Sequence, residues 1–287
     1  MSDERRIKRA AFVSHSNPPQ TAPGLAAARQ AAAAVGCELI ISTTELNKYG
    51  PGAEGMTVVE RLPTDLDVCL ALGGDGTILR CLRYFSGTGV PVFGINYGTV
   101  GFLAAAESAD LESGLGRALG SDFEVIELPG LLASLGDGLS PALNDVSFTR
   151  RPHRRVAELS YRLGGREVGH VRCDGLVAAT PVGSTGYNLA NGGPILAWGV
   201  EGYVVSFIAP HTLTTRPLVV APGDVLHVHN LSDRDPVDVA FDGVPHGQLA
   251  PRSEIEVRFR DGLARLAQFE GQSFYQRIRD KFGRLVQ

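Results

Sequence analysis

The spacing of apolar residues predicts that strands alternate with helices in the first part of the chain. Short apolar runs at residues 9–15, 37–43, 68–72 and 90–96 have the length and composition of buried parallel strands. An Ala-rich segment that ends at Gly36 lies between the first two runs and is typical of a helix. This order predicts a Rossmann-like α/β domain.

The pattern changes after about residue 122, where polar and apolar residues begin to alternate. The alternation on either side of Gly164 and Gly165 is typical of a β-hairpin. Further short apolar runs, separated by Pro and Gly, continue to about residue 260. We therefore expect an all-β second domain with a β-sandwich fold.

The last segment returns to helical spacing, because Phe274, Ile278 and Phe282 are four residues apart. We expect this helix to pack back on the first domain. The fold class that we predict is α/β plus all-β. The predicted domains are residues 1–122, which bind nucleotide, residues 123–265, which form the β-domain, and the helical segment 266–287.

Composition and charge narrow the functional classes. The 287 residues are 44% hydrophobic and 20% charged, with a net charge of −4. This balance argues against a general role on nucleic acid or on a membrane surface. No apolar run approaches the roughly 20 residues that span a bilayer, so we expect a cytoplasmic protein. The four cysteines have no C-x-x-C spacing, and we expect free, buried thiols.

The densest candidate motif is the turn between the apolar run 68–72 and a helical pattern. It contains Gly73, Gly74, Asp75, Gly76 and Thr77. Such a turn presents backbone N–H groups and a helix N-terminus to an anion, yet no lysine follows the glycines. A carboxylate there would repel phosphate, but it can accept a proton from an attacking hydroxyl or hold Mg²⁺. The alternative role, a helix N-cap, leaves the three glycines unexplained.

The other glycine patterns in the chain give weaker evidence of a nucleotide-binding site. Gly50, Gly52 and Gly55 match G-x-G-x-x-G, but they follow a polar segment rather than a strand, so we interpret them as a mobile loop. The Walker A pattern is absent. None of the seven histidines has the spacing of a metal site, and we assign no residue as a metal ligand.

Two stretches of the second domain carry an unusual density of polar residues. In residues 172–196 a strand runs into a loop that carries Ser184, Thr185, Tyr187, Asn188 and Asn191, and the stretch contains five glycines, which favours a ligand-binding loop. An acyl-transfer role for Ser184 lacks the G-x-S-x-G pattern. Asn144 and Asp145 precede a basic run at residues 150–155, which is equally typical of a turn with a solvated edge.

Together these stretches resemble the NAD kinase family, bacterial type. The resemblance covers most of the chain and rests on GGDGTILR, GINYGTVGFLA, ALNDVSF, the loop 172–196, IAPHTLTTRPLVV and FDG, in the family's order. Diacylglycerol and sphingosine kinases share the first motif, whereas the loop 172–196 distinguishes NAD kinases. The resemblance implies transfer of the terminal phosphate of ATP, or of polyphosphate, to the 2′-hydroxyl of the adenosine ribose of NAD.

The resemblance also implies roles for individual residues. Asp75 would be the general base, and Gly73, Gly74, Gly76 and Thr77 would hold the triphosphate with a divalent metal ion, Mg²⁺. The implied NAD contacts are Arg80, Phe102 against a ring, Asn144, Asp145, Arg155, Arg172, Asp174, Thr185, Gly186, Tyr187, Asn188, Leu189 and Ala190. The resemblance further implies a homodimer or homotetramer with no nucleic-acid or membrane partner.

The chain departs from the family's pattern at four positions. Asp145 stands where Glu is usual, Val182 where Thr is common, Gly186 where Ala is common and Val244 where Gln often follows Asp-Gly. These changes affect the expected fit of NAD and leave the proposed chemistry untouched. Two alternatives remain open: a lipid kinase of the diacylglycerol or sphingosine type, and a non-catalytic NAD-binding sensor.

Overall fold

The computed structural model of the chain describes residues 6–15, 18–98, 101–136 and 138–283. They form two compact units. The first comprises residues up to Glu127 together with those from Ala264 onward, and the second is Leu128–Leu263. The sequence placed the divisions after residues 122 and 265. They differ from the observed ones because one strand runs through each division, Glu124–Ala133 at the first and Glu254–Gln268 at the second.

The first unit is built on a parallel sheet with helices. Its strands are β1 (Arg9–Ser14), β2 (Glu38–Ser42), β3 (Thr57–Val59), β4 (Val68–Leu72), β5 (Pro91–Asn96) and β6 (Ala106–Glu107), and its helices before residue 127 are α1 (Pro18–Val35), α2 (Thr43–Tyr49), α3 (Asp75–Tyr84) and α4 (Leu111–Leu119). The strands pair in the order β5-β4-β1-β2-β3. All five residues of β4 are fully buried, as a strand covered on both faces requires.

The predicted strands and helix of the first unit are confirmed. The sequence did not predict β3, β6, α2 or α4, and the three residues of β3 are too few to show a pattern. The segment interpreted as a mobile loop begins with a 3-10 turn, Gly50–Ala53, that directly follows α2. Because the G-x-G-x-x-G pattern follows a helix rather than a strand, it lacks the setting of a dinucleotide fingerprint.

The second unit consists of two facing sheets. Its strands are β7 (Glu124–Ala133), β8 (Ser140–Ala142), β9 (Asp145–Arg150), β10 (Ala157–Leu163), β11 (Arg166–Cys173), β12 (Gly175–Ala179), β13 (Tyr203–Ile208), β14 (Leu218–Val220), β15 (Leu226–Asn230), β16 (Val237–Phe241), β17 (Val244–Leu249) and β18 (Glu254–Gln268), and its helix is α5 (Tyr187–Ala190). One antiparallel sheet has the order β14-β13-β12-β9-β16-β17, and the other joins β11, β10, β15 and the start of β18.

Side chains of both sheets share one core, which confirms the predicted β-sandwich. Phe148 and Tyr203 of the first sheet pack in the same buried cluster as Leu159 and Val228 of the second. The predicted hairpin is also present, since β10 and β11 pair through the turn at residues 164–165. Both turn glycines have positive φ, 54° and 77°, as a two-residue type I′ turn requires.

The C-terminal helix, α6 (Phe274–Phe282), belongs to the first unit. The Ser273 side chain caps it by accepting a hydrogen bond from the Gln276 N–H at 3.2 Å. The end of β18 also lies in this unit, where residues 265–267 pair in parallel with β5. Within the described residues no helix is long and apolar enough to cross a membrane. All four cysteines are free and buried, as predicted.

Candidate active site

The turn between β4 and α3 leaves its backbone open to a ligand. Gly73 is fixed by its N–H, which donates to Ile95 O at 2.9 Å, and α3 begins two residues later at Asp75. A methyl group added to Gly74 or Gly76 would meet no atom within 4 Å. The turn is therefore open beside Gly74 and Gly76, at the positive end of the α3 dipole, which is a setting typical of anion sites.

This turn lines a cavity of about 710 Å³ in the first unit. Arg80 and Lys281 contribute cations to its wall, together with His15, and Asp75 is its carboxylate. In the described part of the chain, no group of three or more His, Cys, Asp or Glu side chains is arranged to hold a metal ion. The wall of this cavity therefore combines one carboxylate, Asp75, with two cationic side chains, Arg80 and Lys281.

Both carboxylate oxygens of Asp75 accept backbone hydrogen bonds from the loop that follows β5. The Phe102 N–H donates to Oδ2 at 2.8 Å, and the Leu103 N–H donates to Oδ1 at 3.1 Å. A Cβ on Gly101 would clash with this carboxylate and lie 2.7 Å from its Cγ. Gly101 is thus required for the close approach of the loop to Asp75, a role that the sequence motif contained but did not reveal.

A buried carboxylate behind the cavity positions Arg80. Glu45 accepts hydrogen bonds from Ser14 N–H at 3.1 Å and Ser14 Oγ at 2.7 Å, and it pairs with Lys48 at 2.6 Å. The Arg80 guanidinium lies 3.9 Å from Glu45 and donates to Ser14 O at 3.0 Å. Sequence reasoning missed Glu45, which lies in a polar segment with no motif.

The Phe102 side chain packs within the first unit. Its ring is buried, and its centroid lies 6.4 Å from that of Phe274 and 6.1 Å from that of Phe282. The Lys281 ammonium lies 4.3 Å from its centroid. The contact of Phe102 with a ring of NAD stays a prediction.

In the second unit, Asp242 holds the segment that carries Asn144 and Asp145. Its carboxylate accepts hydrogen bonds from the N–H groups of Leu143, Asn144 and Asp145 at 3.1, 2.7 and 3.2 Å. Asp242 has a φ of 50°, a left-handed conformation that Asp tolerates in tight turns. The FDG motif thus contains the residue that shapes this part of the site, although the sequence assigned it no role.

The Asp145 side chain is buried beside this second carboxylate. Burial raises the pKa of Asp145 to about 7, and the nearby charge of Asp242 adds to the increase. Burial raises the pKa of Tyr187 as well, and the charges of Asp145 and Asp174 contribute to that shift. The three predicted site residues Asp145, Asp174 and Tyr187 therefore lie close enough for the two carboxylates to affect the pKa of the phenol.

The loop that follows β12 and carries Asn188 packs closely against the backbone of Asn144. A Cβ on Gly183 would clash with the Asn144 backbone, 2.6 Å from its Cα, so only glycine permits this packing. Asn144 Oδ1 and Asn188 Oδ1 are both buried and accept no hydrogen bond within the described residues. Unsatisfied buried acceptors are rare in folded proteins. Asn188 Oδ1 lies against Gly193, where a Cβ would be 1.8 Å away, so this oxygen is enclosed by the protein itself.

Two further polar side chains of the loop, Ser184 and Thr185, make hydrogen bonds within the loop and its neighbouring segment. Ser184 is buried, donates to Pro181 O at 2.7 Å and accepts from Leu196 N–H at 2.9 Å. These structural bonds agree with the rejection of acyl transfer. Thr185 Oγ1 donates to Val182 O at 3.3 Å. The other predicted loop residues lie at the start of α5 or within it: Gly186, Tyr187, Asn188, Leu189 and Ala190.

The predicted charged residues of the second unit lie in different settings. Asp174 pairs with Arg150 at 2.5 Å, and Arg172 pairs with Glu158 at 3.4 Å. Arg155 lines a separate cavity of about 640 Å³, which none of the other predicted residues lines. The NAD contact of Arg155 stays a prediction, and it is the one that this geometry supports least.

The raised pKa of Asp145 has a measurable consequence for stability. The folded state holds this proton more tightly than the unfolded state, so the free energy of unfolding falls as pH rises from about 4 to about 7. Each pKa unit between the two states corresponds to about 1.4 kcal/mol. We expect Asp145→Asn, which carries no titrating group, to become more stable relative to the parent between pH 4 and pH 8.

Denaturant unfolding of the parent and of Asp145→Asn at both pH values measures this effect. The difference between the two proteins removes the contribution of every titrating group that does not interact with Asp145. A difference that does not change with pH would contradict the buried, protonated state of Asp145.

Two family models match the chain, one in its N-terminal part and one in its C-terminal part. Residues 25–123 match the ATP-NAD kinase N-terminal domain, and residues 143–268 match the ATP-NAD kinase C-terminal domain. The NAD kinase of Symbiobacterium thermophilum is 36% identical over 222 residues, which cover 76% of this chain and 78% of the relative. NAD kinase 2 of Streptomyces coelicolor is 36% identical over 233 residues, which cover 78% and 77%.

Solved structures agree with the sequence comparisons. A crystal structure of yeast NADH kinase complexed with NADH has a TM-score of 0.85 at 20% identity and covers 98% of this chain and 89% of that one, which shows the fold. The NAD kinase from Archaeoglobus fulgidus in complex with ATP has a TM-score of 0.72 at 26% identity and covers 97% and 98%. The predicted fold class is confirmed, and so is the prediction of an NAD kinase. The chain belongs to the NAD kinase family.

Proposed function

We propose that the chain transfers the terminal phosphate of ATP to the 2′-hydroxyl of the adenosine ribose of NAD, with Asp75 as the general base. The observation that carries the proposal is the position of Asp75. It lies at the N-terminus of α3, beside an open Gly-rich turn, with both oxygens oriented by backbone N–H groups.

The phosphate donor in this proposal is MgATP. Its phosphates lie against Gly73, Gly74, Gly76 and Thr77, where the open turn and the positive end of the helix dipole attract negative charge. Mg²⁺ bound to the triphosphate neutralises charge on the phosphate oxygens. These groups recognise phosphate rather than a base, which supports polyphosphate as a second donor.

Asp75 removes one proton during the reaction. As the ribose oxygen attacks the terminal phosphorus, its proton passes to the carboxylate, a new P–O bond forms, and the bond from phosphorus to the leaving ADP oxygen breaks. An ionised carboxylate has about four acceptor sites, and two of those on Asp75 are used by Phe102 and Leu103 N–H groups. The remaining sites can take the proton while the carboxylate stays fixed, which favours a productive geometry.

NAD is recognised in this proposal by Arg80 and Phe102 of the first unit and by the predicted residues of the second. The unsatisfied oxygen of Asn144 supports a ligand that donates a hydrogen bond. A ligand without a matching donor would leave this buried oxygen unpaired, which is a source of selectivity. Asp145 and Asp174 are further acceptors for ribose or adenine donors.

A homodimer or homotetramer, which the family resemblance implies, is part of the proposal. Several exposed apolar side chains of the second unit support it, above all Leu213, which is 95% exposed, together with Leu218 and Val219. We expect light scattering after size-exclusion chromatography to give two or four times the 30.5 kDa chain mass, whereas a monomer at micromolar concentration would contradict the proposal. The cytoplasmic location stays a prediction.

The reaction is tested by an assay that detects NADP after incubation of the protein with NAD and MgATP. A parallel sample contains diacylglycerol in place of NAD, and further samples replace ATP with polyphosphate. We expect NADP formation and no lipid phosphorylation. Phosphorylation of the lipid alone would favour a lipid kinase, and NAD binding without turnover would favour a sensor.

The role of Asp75 is tested by Asp75→Asn. We expect NAD to bind with nearly unchanged affinity while kcat falls by roughly two to four powers of ten, since the general base is lost. Thermal unfolding provides the control, because the amide also weakens a hydrogen bond to the loop. A folded variant with normal turnover would refute the assignment.

The orientation of Asp75 is tested by Gly101→Ala. The added methyl group clashes with the Asp75 carboxylate, so we expect kcat to fall at least about ten-fold while the chemical groups of the site are all retained. Gly116→Ala in α4 is the matched control, because its methyl group meets nothing within 4 Å. Equal kcat values for the two variants would contradict the requirement for glycine at position 101.

A further inference from the structure

The Gly-rich turn lacks the lysine that usually accompanies a phosphate-binding loop, and the structure brings a lysine to it from elsewhere. The chain has three lysines, Lys8, Lys48 and Lys281. Lys48 pairs with the buried Glu45. Lys281, in the last turn of α6, lines the same cavity as Asp75 and the three glycines of the turn.

The position of Lys281 is fixed by the packing of α6. The rings of Phe274 and Phe282, at the two ends of the helix, both contact Phe102. The Arg277 guanidinium, between them, donates to Ala104 O at 2.7 Å and to Gln272 Oε1 at 2.9 Å. The helix is therefore attached along its length to the loop 101–105, and Lys281 projects from a supported element.

The charge of Lys281 is available to a ligand. Its ammonium contacts the face of the Phe102 ring and pairs with no carboxylate among the described residues. Arg80, the other permanent cation of the cavity wall, is directed toward Ser14 O and Glu45. Lys281 thus makes no ion pair with a carboxylate among the described residues, although it lines the same cavity as Asp75.

We propose that Lys281 binds the phosphate oxygens of the donor triphosphate, so that the C-terminal helix supplies the cation that the Gly-rich turn lacks. The inference rests on the proposed function, because it takes the cavity of Asp75 as the donor site. An ammonium on a flexible stem suits this role, since it acts as a point charge with three donors toward phosphate. The ring of Phe102 holds the ammonium at the wall by a cation–π contact until the donor arrives.

Lys281→Met tests the proposal, since methionine keeps the length and apolar stem of lysine but not its charge. We expect the KM for MgATP to rise roughly ten- to a hundred-fold, as for the loss of a charged hydrogen-bonding group, while the KM for NAD stays within about two-fold. Lys281→Arg keeps the charge and should recover most of the loss. Arg279→Met is the matched control, because Arg279 is an exposed cation of the same helix outside the cavity.

Competitive inhibitors of MgATP separate a phosphate contact from a structural effect. Inorganic triphosphate should inhibit Lys281→Met more weakly than the parent, whereas adenosine should inhibit both proteins equally. An unchanged KM for MgATP, or equal weakening for triphosphate and adenosine, would overturn the proposal.

Failure of the proposed function has a different signature. If the parent forms no NADP, MgATP binding can still be measured as the increase in the unfolding temperature of each protein when MgATP is added. A smaller increase in Lys281→Met than in Arg279→Met then supports the phosphate contact without turnover. Equal increases would overturn it.

Discussion

The pair of hydrogen bonds from the Phe102 and Leu103 N–H groups to Asp75 is the interaction on which the first unit's site depends. It joins the end of one strand to the loop after the next, and both elements are held by a parallel sheet whose central strands are fully buried. Backbone donors move only with the backbone, so the carboxylate is oriented by the fold rather than by a mobile side chain. The absence of a side chain at Gly101 is what allows the approach.

In the second unit, too, backbone N–H groups hold a carboxylate, that of Asp242. Asp242 also accepts backbone N–H groups, from residues 143–145, but it lies beside a second carboxylate that is buried. Asp242 is held by three backbone N–H groups, whereas the pKa of Asp145 is raised by burial and by the charge of Asp242. The pKa of Asp145 is therefore set by its surroundings.

Periodic features of the fold could be predicted from the sequence, and contacts between distant segments could not. The buried strands, the Gly164–Gly165 hairpin and α6 follow from local patterns of apolar residues and turn glycines. The GGDGT turn and the loop 172–196 were recognisable because several chemically unusual residues are adjacent in sequence. Glu45 and Asp242 act through groups far away in the chain, and no local pattern shows such a partner.

Some of the missed features had a signal that needed the structure to be understood. Gly101 lies inside a motif that the sequence analysis quoted, but its role depends on a carboxylate 26 positions earlier in the chain. The domain divisions differed from those predicted because β7 and β18 continue across them, and an uninterrupted strand shows no change of period. Lys281 lies about 200 residues from the Gly-rich turn in sequence, yet it lines the same cavity in the structure.

The discontinuity of the first unit has a consequence for folding. Its sheet includes the end of β18, and its cavity wall includes α6, yet the whole of Leu128–Leu263 separates these elements from the rest of the unit. Closing so long a connection carries an entropic cost and slows the contacts that depend on it. The contacts of α6 and of the end of β18 with the rest of the first unit, and with them the complete cavity, are therefore expected to form late in folding.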